Sequence, residues 1–100
     1  MRLLHKVKDQ HDLLEYVPKS VLQILEYDRL NKSELFETLA MFIRSNKNAT
    51  LTAKRMFIHQ KTVLYRLSRM KDIAQLDIDD YDNHFEAELG IKIVQLLRMR

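Results

Sequence analysis

Cysteine is missing from this chain of 100 residues, and glycine and proline occur once each. The first absence removes disulfides and thiolate metal sites and agrees with a reducing, cytoplasmic setting, which is the localisation expected. The second leaves few breakers in a sequence rich in Leu, Lys, Arg, Glu and Met. The fold class expected is therefore all-α, a small bundle of about five helices in a single domain. Long apolar runs are also missing: none approaches the roughly 20 residues that cross a bilayer, and the opening MRLLHKVKDQ meets charge too soon for a signal peptide. No membrane association is expected. A glycine-rich phosphate loop, a nucleophile elbow and a triad are absent, so enzyme chemistry finds no foothold. His5, His11, His59 and His84 have no metal-ligand spacing, and DIDDYDNHFEAE lacks the glycine and regular alternation of a Ca²⁺ loop. No cofactor is expected.

Carboxylates are missing from one long stretch. Between Arg44 and Lys71 there are eight Lys or Arg and no Asp or Glu, while the rest of the chain holds nine basic and fourteen acidic residues. The segment is thus +8 and the remainder −5, although the whole chain is only +3. Residues 72–91 then carry seven carboxylates and no Lys or Arg. Such polarity suits a molecule that turns one face toward a polyanion and another away from it.

What is present repeats at helical spacing. Residues 3–17 have a helical apolar pattern with a break near 10–12, and Pro18 fits the first turn of a new helix with Val21, Leu22, Ile24 and Leu25 as its stripe. Ser33 is the expected cap of a helix carrying Leu35, Phe36, Leu39, Phe42 and Ile43 to about Arg44. SNKNAT reads as a loop, with Thr50 as the cap of a short helix through about Phe57. Gln60 to about Lys71 form the next helix. After the acidic linker QLDIDDYDN, Asp82 or Asn83 starts a last helix whose broad apolar arc includes Phe85, Leu89, Ile93, Leu96 and Leu97.

The stretch TAKRMFIHQKTVLYRL, residues 52–67, combines two short helices with a break at Ile58 and His59. A helix-turn-helix needs a small residue at the crossing, here Ala53, apolar residues that lock it, here Met56, Ile58, Val63 and Leu67, and a polar outer face on the second helix. With Val63 inward, Lys61, Tyr65, Ser68 and Arg69 point away from the core by the helical period. Gln60, Lys61, Tyr65 and Arg69 are expected near bases or phosphates, with Thr50, Thr52, Lys54 and Arg55 on the DNA backbone. Thr62 sits where a helix N-terminus can hold a phosphate. His59 is a further candidate contact, with a helix cap or packed turn as its other reading. Arg66 lies nearer the seam, where it either joins the contact or pairs with Glu37 or Asp72. Phe57 stands where many such turns have glycine; either the turn does without a positive φ or it bends differently, and the aromatic is expected to plug a core or an interface.

The stretches ELFETLAMFI, TAKRMFIHQKTVLYRLSRMKDI, LDIDDYDN and ELGIKIVQLL, within residues 34–97, resemble the C-terminal helix-turn-helix domain of PucR-type bacterial transcriptional regulators, a group related in its motif to the nucleoid protein Fis. It departs at His59-Gln60-Lys61-Thr62, where the family commonly has His-Arg-Asn-Thr. The resemblance implies a Fis-like DNA-binding region over 33–100, and the helices of 1–32 are expected to serve packing or dimerisation. It also implies double-stranded DNA as a partner and an effector-sensing region upstream in longer relatives, and because one short helix reads only a few base pairs, a second copy of the chain is expected as a further partner. The competing expectation is a helical interaction or dimerisation module whose basic face docks on an acidic partner.

Overall fold

The computed structural model describes residues 13–99, and the helical pattern and break expected before residue 13 lie outside them. Five helices and no strand occur among the described residues: α1, Lys19–Asn31; α2, Leu35–Arg44; α3, Ala49–Met56; α4, Gln60–Ala74; and α5, Tyr81–Arg98. Val21, Ile24, Phe36, Leu39, Val63, Met70 and Ile93, all essentially without solvent exposure, draw α1, α2, α4 and α5 onto one core. The all-α expectation is met.

Helix positions follow the apolar periodicity; their caps do not follow the nearest polar residue. Ser33 does not cap α2. The two carboxylate oxygens of Asp28, in the last full turn of α1, each accept a backbone N–H, from Leu35 and Phe36, both at 2.9 Å, and Ser33 donates its hydroxyl to the same carboxylate. Asn48, two residues before Thr50, caps α3 by accepting from the Leu51 N–H. Asp80, rather than Asp82 or Asn83, caps α5 by accepting from the Asn83 N–H. In each case a side-chain oxygen satisfies helix N–H groups that have no carbonyl one turn earlier.

The α4 helix runs one turn past Lys71 because Ile73 and Ala74 still pack on the core, and it ends at Gln75 in the left-handed conformation. The acidic linker is anchored as well, since Leu76 and Ile78 are buried. Most of the broad apolar arc of α5 is core: Ala87, Ile91, Ile93 and Val94 are buried, with Leu89, Leu96 and Leu97 packed against them. Phe85 departs from that expectation and is 62% exposed. Helix α1 crosses α5 at Gly90, where an added Cβ would lie 2.6 Å from Val21 Cγ2, so glycine there permits the close approach. None of these helices is long and apolar enough to cross a membrane.

Candidate nucleic-acid interface

Helices α3 and α4 form the expected helix-turn-helix. Ala53 is buried at the crossing, Val63 is fully buried, and Ile58 and Leu67 pack on the core beside them. Met56 is only half-buried and stays outside that set. The turn is made by Phe57, whose φ of 58° and ψ of 44° place it in the left-handed region. Its N–H bonds the Lys54 carbonyl and the Ile58 N–H bonds that of Ala53, which closes the α3 C-terminus. So the turn does need a positive φ, supplied here by a phenylalanine, and the ring plugs nothing: it is 93% exposed.

On the outside, Gln60, Lys61, Leu64, Tyr65, Ser68, Lys71 and Asp72 form the exposed face of α4. Thr50, Lys54, Arg55 and His59 are exposed on α3 and the turn, so these sites keep the accessibility that polyanion contact requires. His59 occupies the N-cap position of α4 by its backbone, but its side chain makes no capping bond and it is not packed in the turn. Thr62 is half-buried in the first turn of α4. Arg55 donates to Ser45 Oγ at 3.0 Å, which ties α3 to the C-terminal end of α2 while leaving the residue at the surface.

Three side chains stand elsewhere than the sequence suggests. Thr52 is fully buried, with its hydroxyl donating to the Asn48 carbonyl at 2.7 Å, so it is out of reach of a DNA backbone. Arg66 is half-buried and pairs with neither Glu37 nor Asp72. Its Nη1 donates to Thr38 Oγ1 at 2.9 Å, and Glu37 is taken by Arg98, at 2.8 Å. Arg69 turns toward α1, where its Nη2 donates to the Tyr27 hydroxyl at 3.1 Å and its guanidinium carbon lies 5.5 Å from the centre of the Tyr27 ring. That hydrogen bond, and behind it the interaction with the Tyr27 oxygen, raises the Arg69 pKa above its already high ordinary value, so the group is a permanent cation.

Tyr27, Asp28, Thr38 and Asn48 are the positioning residues that sequence reasoning passed over. A signal existed for Thr38, a lone hydroxyl on the apolar stripe of α2: it donates to the Glu34 carbonyl and accepts from Arg66. For Tyr27 and Asp28 no local signal existed, because their main partners lie on other helices.

Among the described residues, Lys71 is the one cation of the 44–71 segment that ion-pairs with a carboxylate, Asp77 at 3.5 Å. The other seven form no carboxylate pair among the described residues. Carboxylates instead gather at and beyond the C-terminal end of α4, from Asp72 through the linker to α5, so charge runs from positive to negative along α4. No group of three or more potential metal-ligating His, Asp or Glu side chains occurs among the described residues.

The model of the PucR C-terminal helix-turn-helix domain matches residues 35–93. Relatives include the DNA-binding transcriptional activator AdeR of Bacillus subtilis (strain 168), 35% identical over 74% of this chain and 18% of its own length. The proline-responsive transcriptional activator PutR of the same organism is 24% identical over 94% of this chain and 23% of its own. The carbohydrate diacid regulator of Escherichia coli (strain K12) is 38% identical over 63% of the chain and 16% of its own length. The chain thus spans less than a quarter of each of these relatives. No solved structure matches it. A match that runs from the start of α2 to within α5, over the helix-turn-helix just described, establishes that the chain belongs to the family of PucR C-terminal helix-turn-helix domains.

Proposed function

We propose that these residues form the DNA-binding domain of a bacterial transcriptional regulator, working in the cytoplasm, and that α4 enters the major groove with its outer face. The observation that carries this reading is the set of seven cations on and around the helix-turn-helix that have no carboxylate partner among the described residues. Lys61, Gln60, Tyr65 and His59 meet base edges and nearby phosphates, Thr50, Lys54 and Arg55 lie along the backbone, and Thr62 faces a phosphate at the start of α4. Lysine at 61 reads guanine or binds phosphate, whereas the family's amide at that place favours adenine. One short helix reads only a few base pairs, so two copies bind together on two half-sites about 34–36 Å apart. An effector response is assigned to other parts of the longer relatives.

Fluorescence anisotropy of a labelled random-sequence duplex, titrated at several salt concentrations, tests the reading. Affinity is expected to fall linearly in log K against log salt, with a slope near −0.9 per phosphate contacted. The Lys54→Ala, Lys61→Ala double variant should bind more weakly and with a slope flatter by up to about 1.8. A folded sample that binds no duplex at low salt, or a double variant as tight as the parent, sinks it.

A further inference from the structure

Helix α1 precedes the segment that the family model matches, which begins at Leu35. Its last turns nonetheless reach the interface from behind. Asp28 caps α2, and the neighbouring Tyr27 holds Arg69 of the reading helix by a hydrogen bond to one guanidinium nitrogen and by its ring under the guanidinium. Arg69 Nε is buried without a hydrogen-bond partner, and Nη1 forms no hydrogen bond among the described residues. The helical period sets Arg69 beside Thr62 and Tyr65, at the edge of the exposed face of α4.

We propose that Tyr27 is a positioning residue for DNA binding: it holds the Arg69 guanidinium at the margin of the outer face of α4, with its Nη1 donors left to take a phosphate oxygen. This rests on the function proposed above and deepens it by making α1 a working part of the interface. A guanidinium on a flexible stem loses rotamer freedom when it grips a phosphate. One already fixed against a ring and a hydroxyl has less to lose, and its planar fork keeps its remaining donors aimed. The attachment to Tyr27 uses one of its five N–H donors, so it does not exhaust the group.

The test is a double-variant cycle in the whole chain, with Tyr27→Phe, Arg69→Ala and both together, titrated against the same random-sequence duplex over a salt series. Tyr27→Phe keeps the ring and deletes the hydroxyl. Arg69→Ala is expected to flatten the salt slope by about 0.9, one phosphate. Tyr27→Phe should weaken binding about threefold, the order of effect of freeing one side chain, in a variant whose far-UV circular dichroism at the assay temperature matches the parent's. In the Arg69→Ala background the same change should do nothing further. Equal losses in both backgrounds, or no loss in either, would overturn the proposal, since a merely structural tyrosine acts whether or not Arg69 is present. Absence of binding by the parent chain is a different failure: it removes the proposed function itself, and the parent titration reveals it before any variant is read.

Discussion

A phenylalanine in the left-handed region, with its ring in water, is an expensive choice at position 57. The conformation crowds Cβ against the following carbonyl and costs about 1–2 kcal/mol for an L-residue. At 93% exposure the side chain recovers nothing from burial. Glycine would relieve the strain and return about 0.4–1 kcal/mol of that gain to the freedom of the unfolded chain. Phe57→Gly is therefore expected to stabilise the domain by about 1 kcal/mol, raising the thermal midpoint by roughly 4–8 °C, as read by circular dichroism. An unchanged or lower midpoint would show that the exposed ring makes stabilising contacts after all. Sequence alone left this position undecided for a physical reason: the absence of glycine argued against a positive φ, while the hydrogen bonds that close α3 on the Ala53 and Lys54 carbonyls demand one. Geometry imposed by the crossing of α3 and α4 outweighed the local preference.

Helices are legible where their apolar residues repeat and illegible where their ends are set from a distance. The stripes Leu35–Phe36–Leu39–Phe42 and Val63–Leu67–Met70 are visible in the sequence because one helix face must be buried whatever it packs against. The cap of α2 was not visible, since Asp28 reaches across a turn from α1 to N–H groups seven and eight residues on. Nor was the diversion of Arg69 to Tyr27, whose separation of 42 residues leaves no periodic trace. The lone glycine gains its meaning only from the neighbouring helix. At Gly90 a methyl group would meet Val21 at 2.6 Å, and an overpacked contact of that kind costs about 1–3 kcal/mol. Better helix propensity offsets about 1 kcal/mol of this. Gly90→Ala should thus destabilise by about 1 kcal/mol in urea denaturation. Combined with Val21→Ala it should cost less than the sum of the two single changes, because the side chain it strikes has been shortened. Strict additivity would mean that α1 and α5 separate freely and that the glycine is not required for their contact.

At the scale of the whole molecule, the modest charge of +3 hides a separation that the helices make directional. Helix α4 begins among cations without a carboxylate partner among the described residues, with Lys54 and Arg55 just before it and Lys61 in its first turn, and ends beside Asp72 and the Lys71–Asp77 pair. A duplex lying across the whole outer face of α4 would meet Asp72, which the helical period places about 20° from both Lys61 and Tyr65 around the axis. Two unit charges about 8 Å apart in water interact by roughly 0.5 kcal/mol, so the repulsion is worth about twofold in affinity. Asp72→Asn is accordingly expected to tighten binding to a random duplex by about twofold near 50 mM salt. The gain should vanish toward 1 M, where the screening length shrinks to about 3 Å. Anisotropy titrations of both proteins at the two salt concentrations read the effect directly. A gain that persists at high salt would point to altered packing at the end of α4. Unchanged affinity at low salt would place the duplex on the N-terminal turns alone, beyond the reach of that carboxylate, and a weaker complex would turn the outer face of α4 away from DNA altogether.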